Sequence, residues 1–287
     1  MKKKTIKKSK RKVQMKGIIL AGGTGSRLWP LTDQTSKQML PVGRVPMIFH
    51  PLNVLLKAGI KDILIITSPQ HSGSFVNMLE PLLRPYGISI FSSVQQIPAG
   101  LPEAFTIGAP FIGEDNVTMI LGDNIFEDVE AIADAVKKFR KGGCIFAKKV
   151  PDPERFAVAT VNKKGIVTNI VEKPIKPESS LAIPGAYIYD NDVINVAKTL
   201  TPSERGEYEI VDLHNYYLQK GTLQLHEIAG EWLDAGTIES WHEANVLAIK
   251  KGFVEKFDPI LLEALHKGFD RNKAIGKAQL HACRDID

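Results

Sequence analysis

The sequence predicts an α/β fold, with a mixed, mainly parallel central sheet, helices on both faces and a strand-rich insertion in the second half. Three observations carry this expectation. Short β-rich runs alternate with helical stretches through the first half, a glycine-rich turn follows the first apolar run, and strand signals crowd the second half. With 287 residues, 44% apolar and 24% charged, the chain has enough apolar content for one large core or two small ones.

The elements follow in order. GIILA (17–21), ILIIT (63–67), ISIFSS (88–93) and VTMIL (117–121) read as buried strands. Between the first two, residues 46–59 put Ile48, Leu52 and Leu55 on one helical face, and Gly59 supplies a C-terminal stop. Phe75, Met78, Leu79 and Leu82 repeat that spacing in a second helix. Residues 128–141 place acids in the first turn of a helix and bases in its last, as the helix dipole favours. Further strands are expected at 144–150, 156–161, 166–172, 182–190 and 223–229, with helices near 190–200 and 208–220. A helix over 238–251 and a shorter amphipathic stretch over 259–268 complete the chain, the latter suited to an oligomer surface or to simple packing.

Charge is distributed unevenly. The formal net charge is +5, yet eight of the first twelve residues are basic and none is acidic. Without those eight, 29 basic residues face 32 acidic ones, a net −3. The basicity therefore belongs to a tail rather than to a face of the fold, and no nucleic-acid or membrane partner is expected. This divides the chain into a solvated basic tail (1–14), a main domain (15–251) and a C-terminal helical extension (252–287). GIILAGG is too short for the apolar part of a secretory signal, and no run reaches membrane-spanning length. Cys144 and Cys283 offer neither a disulfide framework nor metal spacing, so a reducing cytoplasm is the expected setting.

Residues 17–41, GIILAGGTGSRLWPLTDQTSKQMLP, hold a phosphate-handling layout directly after the first strand. Gly22, Gly23 and Gly25 remove the Cβ atoms that would keep backbone N–H groups away from phosphate oxygens. Arg27 adds a planar, permanently charged fork. A dinucleotide-binding fingerprint would need glycine where Leu28 stands, and a P-loop would need its lysine directly after the last glycine, whereas Lys37 lies ten residues beyond Arg27. The seven histidines show no metal-binding spacing, and no serine or cysteine forms a nucleophile elbow. Trp29, Trp232 and Trp241 read as packing residues.

The segment A-G-G-x-G-S-R-L-W-P followed by S-K-Q-M-L-P-V resembles the signature of the sugar-phosphate nucleotidyltransferases. Further matches follow in order: VQQIPAGLPEAF (94–105), ILGDNIF (120–126), DPERF (152–156), VEKP (171–174), GAYIYD (185–190), RGEYEI (205–210) and WLDAGT (232–237). Within that family the chain looks most like the short-form glucose-1-phosphate thymidylyltransferases. The resemblance implies a Rossmann-like core with a sugar-binding insertion. It also implies attack of a sugar 1-phosphate oxygen on the α-phosphorus of dTTP, with pyrophosphate leaving.

Both reactants are polyanions, so catalysis should rest on positioning and placed positive charge rather than on a protein nucleophile. By resemblance, Arg27 and Lys37 hold the triphosphate, and Lys173 holds the sugar phosphate. Leu20 joins the three glycines in the nucleotide site, and Ala157, Glu172 and Tyr187 line the sugar site. Asp123 follows the strand VTMIL, and Asp234 holds a comparable place in WLDAG. Two carboxylates at one pyrophosphate cleft call for a divalent ion between them, so Mg²⁺ is the expected cofactor. Gln95 offers a donor and an acceptor to a pyrimidine edge, and Gly100 lets backbone approach the base. Glu209 is a further candidate acceptor for sugar hydroxyls.

Specificity is where the chain departs from the family pattern. Close relatives typically read E-R-Y-G-V where this chain has Glu154, Arg155, Phe156, Ala157 and Val158, and Pro184 replaces a residue that is usually not proline. UTP as nucleotide, or another hexose 1-phosphate, is therefore an alternative, and a nucleotide-sugar-binding regulator without turnover is an alternative of another class. The resemblance also implies a homo-oligomer, commonly a homotetramer.

Overall fold

The protein is described here by a computed structural model, covering residues 11–270. Its strands are β1 (Met15–Ala21), β2 (Pro41–Val42), β3 (Val45–Pro46), β4 (Asp62–Thr67), β5 (Ser89–Val94), β6 (Asn116–Leu121) and β7 (Asn124–Phe126), then β8 (Gly143–Lys149), β9 (Ala157–Val161), β10 (Val167–Glu172), β11 (Leu181–Ala182), β12 (Ala186–Tyr189), β13 (Leu223–Glu227) and β14 (Trp232–Asp234). The helices are α1 (Phe49–Lys57), α2 (Ser74–Leu83), α3 (Glu103–Ile107), α4 (Ala109–Ile112), α5 (Val129–Lys138), α6 (Val193–Ala197), α7 (Ile210–Gln219) and α8 (Ile238–Lys251), followed by a helix over 259–270.

Ten strands form one mixed sheet in the order β10-β9-β11-β8-β12-β6-β1-β4-β5, with β13 pairing β8 off that path. The strands β6, β1, β4 and β5 run parallel, and β12 joins them antiparallel along β6. Alternate residues of β1 and β4 face opposite cores. Ile19, Ile63 and Ile65 pack with residues of α1, α2 and α5, whereas Ile18, Leu20, Leu64 and Ile66 pack with residues of α3, α6 and α7. Burial on both faces is why these runs are apolar throughout rather than alternating.

The helix ends obey local chemistry. Asp128 caps α5 by accepting from the Ala131 N–H, and Glu130 and Lys137/Lys138 sit at the ends that the dipole favours. Thr237 and Ser240 form a reciprocal capping box at the start of α8, and Gly252 closes that helix with a left-handed backbone.

Two expected strands differ in the structure. Residues 89–94 form an edge strand with Phe91 45% exposed, not a strand buried on both faces. Residues 182–190 are two strands, because Pro184 has no N–H to give a ladder and Gly185 turns its own N–H to a side chain instead. The C-terminal stretch packs on the molecule itself: Phe257, Leu261 and Ala264 join the core under α1 and α2, and the Asp258 N–H donates to Asn53 Oδ1 at 2.7 Å. Most of the basic tail lies outside the described residues. Its last part is anchored, since Arg11 pairs with Asp115 at 2.6 Å and the Gln14 N–H donates to the same carboxylate. Among the described residues no helix is long and apolar enough to cross a membrane.

Candidate active site

Strand register assembles the site on one rim of the sheet. Leu20 of β1 lies beside Leu121 of β6, and Ala21 beside Thr67 of β4, so the segments leaving all three carboxyl ends emerge together. Those segments carry the glycine turn, Ser68 and Asp123. Antiparallel β12 brings Gly185 to the same rim, and pairing of Glu172 with Ala157 places the end of β10 there too. Ligands of open α/β sheets bind at this kind of rim. A cavity of about 390 Å³ opens on it, lined by Leu20, Gly23, Arg27, Gln95, Gly100, Asp123, Glu172, Lys173, Glu209 and Asp234. A second cavity of about 620 Å³ shares Gly23, Gln95 and Pro98 with the first and extends past Gly22, Thr24 and His71.

The three glycines do different work. Gly25 sits at φ 68°, with Thr32 against it and the Thr32 hydroxyl donating to its carbonyl, so it shapes the turn. Gly22 makes room for Gln95, whose Oε1 would lie 2.8 Å from any Cβ there. Gly23 alone of the three lines both cavities. Arg27 is exposed and carries its guanidinium into the smaller cavity. Lys37 does not line it: its ammonium lies behind, 2.5 Å from Asp123 Oδ2, with both side chains largely buried.

Gln95 is almost wholly buried, and its Nε2 donates to Glu103 Oε2 at 2.6 Å. Gly100 takes φ 118° and forms an isolated parallel bridge with Tyr208. A Cβ at that position would lie 2.2 Å from the Tyr208 carbonyl oxygen, so only glycine fits.

Just beyond β10, Lys173 is the one non-glycine residue with positive φ (42°) among the described residues. Its ammonium reaches into the cavity, 3.7 Å from Glu172 Oε1. Such backbone strain persists where surrounding structure holds it, commonly at functional sites. Burial pushes the Glu172 carboxyl above its ordinary range, against the pull of Lys173. Burial acts the same way on Glu209, but the Ser203 hydroxyl and Arg205 outweigh it and leave that carboxyl lowered. Arg205 lines the cavity and holds the Glu209 carboxylate through its Nε and Nη2, and it lies 3.6 Å from Glu172.

Ala157 and Tyr187 are not among the residues lining this cavity. The Ala157 carbonyl accepts the Ile183 N–H within the sheet, and the Tyr187 ring packs against His214, 5.3 Å between centroids. Burial, with the charges of Glu172, Asp123 and Asp234 nearby, drives the Tyr187 phenol far above its ordinary value. Phe156 likewise lies outside this lining and packs on Trp232, with ring centroids 4.8 Å apart and the planes tilted by 59°.

The carboxylates Asp123 and Asp234 are neighbours across the β7–β14 ladder, where Asn124 pairs with Asp234 and the Ala235 N–H donates to the Asp123 carbonyl. For Asp123, burial works upward, but the Lys37 charge and hydrogen bond, with Asn124, hold the carboxyl below its usual range. Burial, reinforced by the Asp123 charge, pushes Asp234 up to about 6. Asp234 Oδ1 is buried with no hydrogen-bond partner. An orphaned carboxylate oxygen beside a second carboxylate suits a divalent cation. No cluster of three or more His, Cys, Asp or Glu gathers among the described residues, so a cation here would complete its shell with water and phosphate oxygens, as magnesium commonly does.

Arg205, Glu103 and Asn124 are not singled out by the sequence reading, and Trp232 is read there as a packing residue. Asn124 Oδ1 accepts from Trp232 Nε1 at 2.7 Å and from the Gly185 N–H at 2.8 Å, while its Nδ2 donates to Asp123 Oδ1. All four lie inside the ordered motifs, which was the available signal. Trp29 was expected to pack and is instead 65% exposed.

Comparison with known proteins agrees with this fold. The nucleotidyl transferase family model matches residues 16–251. A glucose-1-phosphate thymidylyltransferase of Neisseria meningitidis is 49% identical over 236 residues, covering 80% of this chain and 81% of its own length. One from Mycobacterium tuberculosis is 44% identical, with coverage of 80% and 81%. A Bacillus anthracis protein, whose crystal structure with sucrose was described under the same activity, superposes with a TM-score of 0.76 at 43% identity, covering 82% of this chain and 96% of that one. A UDP-glucose pyrophosphorylase bound to UDP-glucose shares the fold, with a TM-score of 0.71 at 22% identity over 83% of this chain and 99% of that chain. Matched by one family model from the first strand to the last residue of α8, the chain belongs to the nucleotidyl transferase family and is an enzyme of that class.

Proposed function

We propose that the protein is a glucose-1-phosphate thymidylyltransferase, converting dTTP and glucose 1-phosphate to dTDP-glucose and pyrophosphate with Mg²⁺ as cofactor. The observation that carries this reading is one rim cavity lined together by the cations Arg27, Lys173 and Arg205, the carboxylates Asp123 and Asp234, and Gln95 with Gly100. The thymidylyltransferases at 44–49% identity support the choice of substrates.

In this reading an oxygen of the sugar phosphate forms the new bond to the α-phosphorus, and the bond from that phosphorus to the bridging oxygen of pyrophosphate breaks. Arg27 binds phosphate oxygens through its planar fork and offsets charge as it grows on the leaving group. Lys173 and Arg205 draw the anionic sugar phosphate into position, which shortens the approach of two like-charged reactants. Glu172 accepts from sugar hydroxyls. Lys37 keeps Asp123 ionised, and Asp123 with Asp234 would hold Mg²⁺. When bound, the metal would supply positive charge to the phosphoryl oxygens.

A second reading changes the substrate only. Gln95 would meet features that uracil shares with thymine, and Phe156, Ala157 and Pro184 depart from the family pattern, although none of the three lines the cavity. Steady-state competition of dTTP against UTP, across a panel of hexose 1-phosphates, separates the two. The proposal expects higher kcat/KM for dTTP with glucose 1-phosphate, and a marked preference for UTP would overturn it.

A further inference from the structure

A glutamine beside a nucleobase is ambiguous, because rotating the amide by half a turn exchanges its acceptor for its donor. In this protein the ambiguity is removed. The Nε2 of Gln95 lies 2.6 Å from Glu103 Oε2, and a carboxylate accepts without donating, so the nitrogen must face it. A flipped amide would set two acceptor oxygens against each other at that distance. The same Glu103 oxygen takes the Ala99 N–H at 3.4 Å, which ties it to the loop leading to Gly100. Gln95 Oε1 is thereby fixed over Gly22, where the absence of a side chain leaves it room at the junction of the two cavities.

We propose that Glu103 is a positioning residue that locks the Gln95 amide with its acceptor toward the base, so that the site takes nucleobases bearing a ring N–H and rejects those with a bare ring nitrogen. The inference rests on the nucleotide reading proposed above and adds a cause of base selection to it. Thymine and uracil both carry an N–H between two carbonyls, which Oε1 accepts. Cytosine has a lone pair at the same ring position, and it would meet the locked oxygen acceptor to acceptor. The lock thus separates thymine and uracil from cytosine and is blind to the thymine methyl group.

The test is equilibrium binding of dTTP, UTP and dCTP to the full chain as wild type, Glu103→Gln, Gln95→Ala and the double variant, with thermal unfolding of each. A glutamine at 103 is close to isosteric and can both donate and accept, so it frees the amide to turn. Glu103→Gln is expected to reduce the preference for dTTP over dCTP by about tenfold, to leave the ratio of dTTP to UTP unchanged, and to have no effect on base preference when Gln95 is already alanine. Glu103→Ala serves as a second variant, since it also removes the fixed acceptor. A residue that merely supports α3 would weaken all three nucleotides alike. An unchanged dTTP-to-dCTP ratio in either variant, with the wild type still preferring dTTP, overturns the lock alone. A wild type that binds dCTP better than dTTP overturns the lock together with the nucleotide reading beneath it.

Discussion

At Gly236 a Cβ would lie 2.8 Å from Asp234 Oδ1 and 2.9 Å from the Arg27 guanidinium. The backbone there is in an ordinary region, so alanine brings no strain of its own and acts only by pushing those two groups apart. Misplacement of catalytic groups by less than an ångström is costly to turnover while hardly touching the core. Gly236→Ala is therefore expected to lower kcat/KM by roughly 10- to 100-fold, with a melting temperature close to wild type. Steady-state kinetics beside a thermal melt checks this, and unchanged kcat/KM would show that Arg27 and Asp234 tolerate a wedge between them. Gly100 makes the opposite case, since its Cβ would collide with the Tyr208 backbone and break the bridge that holds the Gly100 loop. Both glycines sit in recognisable motifs. Which of them guards chemistry and which guards backbone is not readable from sequence, because the answer depends on Arg27 beside Gly236 and Tyr208 beside Gly100, each more than a hundred positions away.

His50 shows how an element is tied down. Lying in α1, it is buried between the rings of Phe253 and Phe257, and its Nε2 meets the Val42 carbonyl at 3.1 Å, so it joins α1 to β2 and to the C-terminal segment. Burial drives its imidazole down from 6.5 to about 4, with the Val42 contact opposing. The folded state thus resists protonation. As pH falls through 6.5 the unfolded chain takes up a proton that the folded chain refuses until about 4, and stability falls across that window. The loss should be on the order of 3 kcal/mol between those limits. Denaturant unfolding of wild type and His50→Gln from pH 7.5 to 4 measures it: the variant should lack this part of the acid sensitivity, whereas parallel curves would assign it to other groups such as buried His214. Strands with continuous apolar runs and helices with clear caps were readable in the sequence at this scale. The edge position of β5 was not, because order in a sheet is set by pairing rather than by local pattern, and neither was the break between β11 and β12, where Pro184 and the Asn124–Gly185 contact decide together.

Across the whole molecule, residues from Leu20 to Asp234 meet because parallel strands end on one rim and antiparallel β12 returns to it. The motifs named most of the cavity in advance: Arg27, Gln95, Gly100, Asp123, Glu172, Lys173 and Asp234 all line it. Sequence could not show that Lys37 is engaged by Asp123, that Tyr187 and Ala157 are committed to the core and sheet, or that Arg205 lines the cavity, since each depends on side-chain packing across distant elements. The C-terminal segment was open between an oligomer surface and packing, and from Phe257 to Leu265 it packs against the core under α1 and α2.

The central claim is nucleotidyl transfer at a rim where two carboxylates hold Mg²⁺. It is tested most directly by pyrophosphate release from dTTP with glucose 1-phosphate, measured with Mg²⁺, after removal of divalent ions by chelation, and with Asp123→Ala. Release that requires both substrates, stops on chelation, returns when Mg²⁺ is restored and is absent in the variant is the predicted result. Release that survives chelation, or that Asp123→Ala sustains at the wild-type rate, would contradict the account.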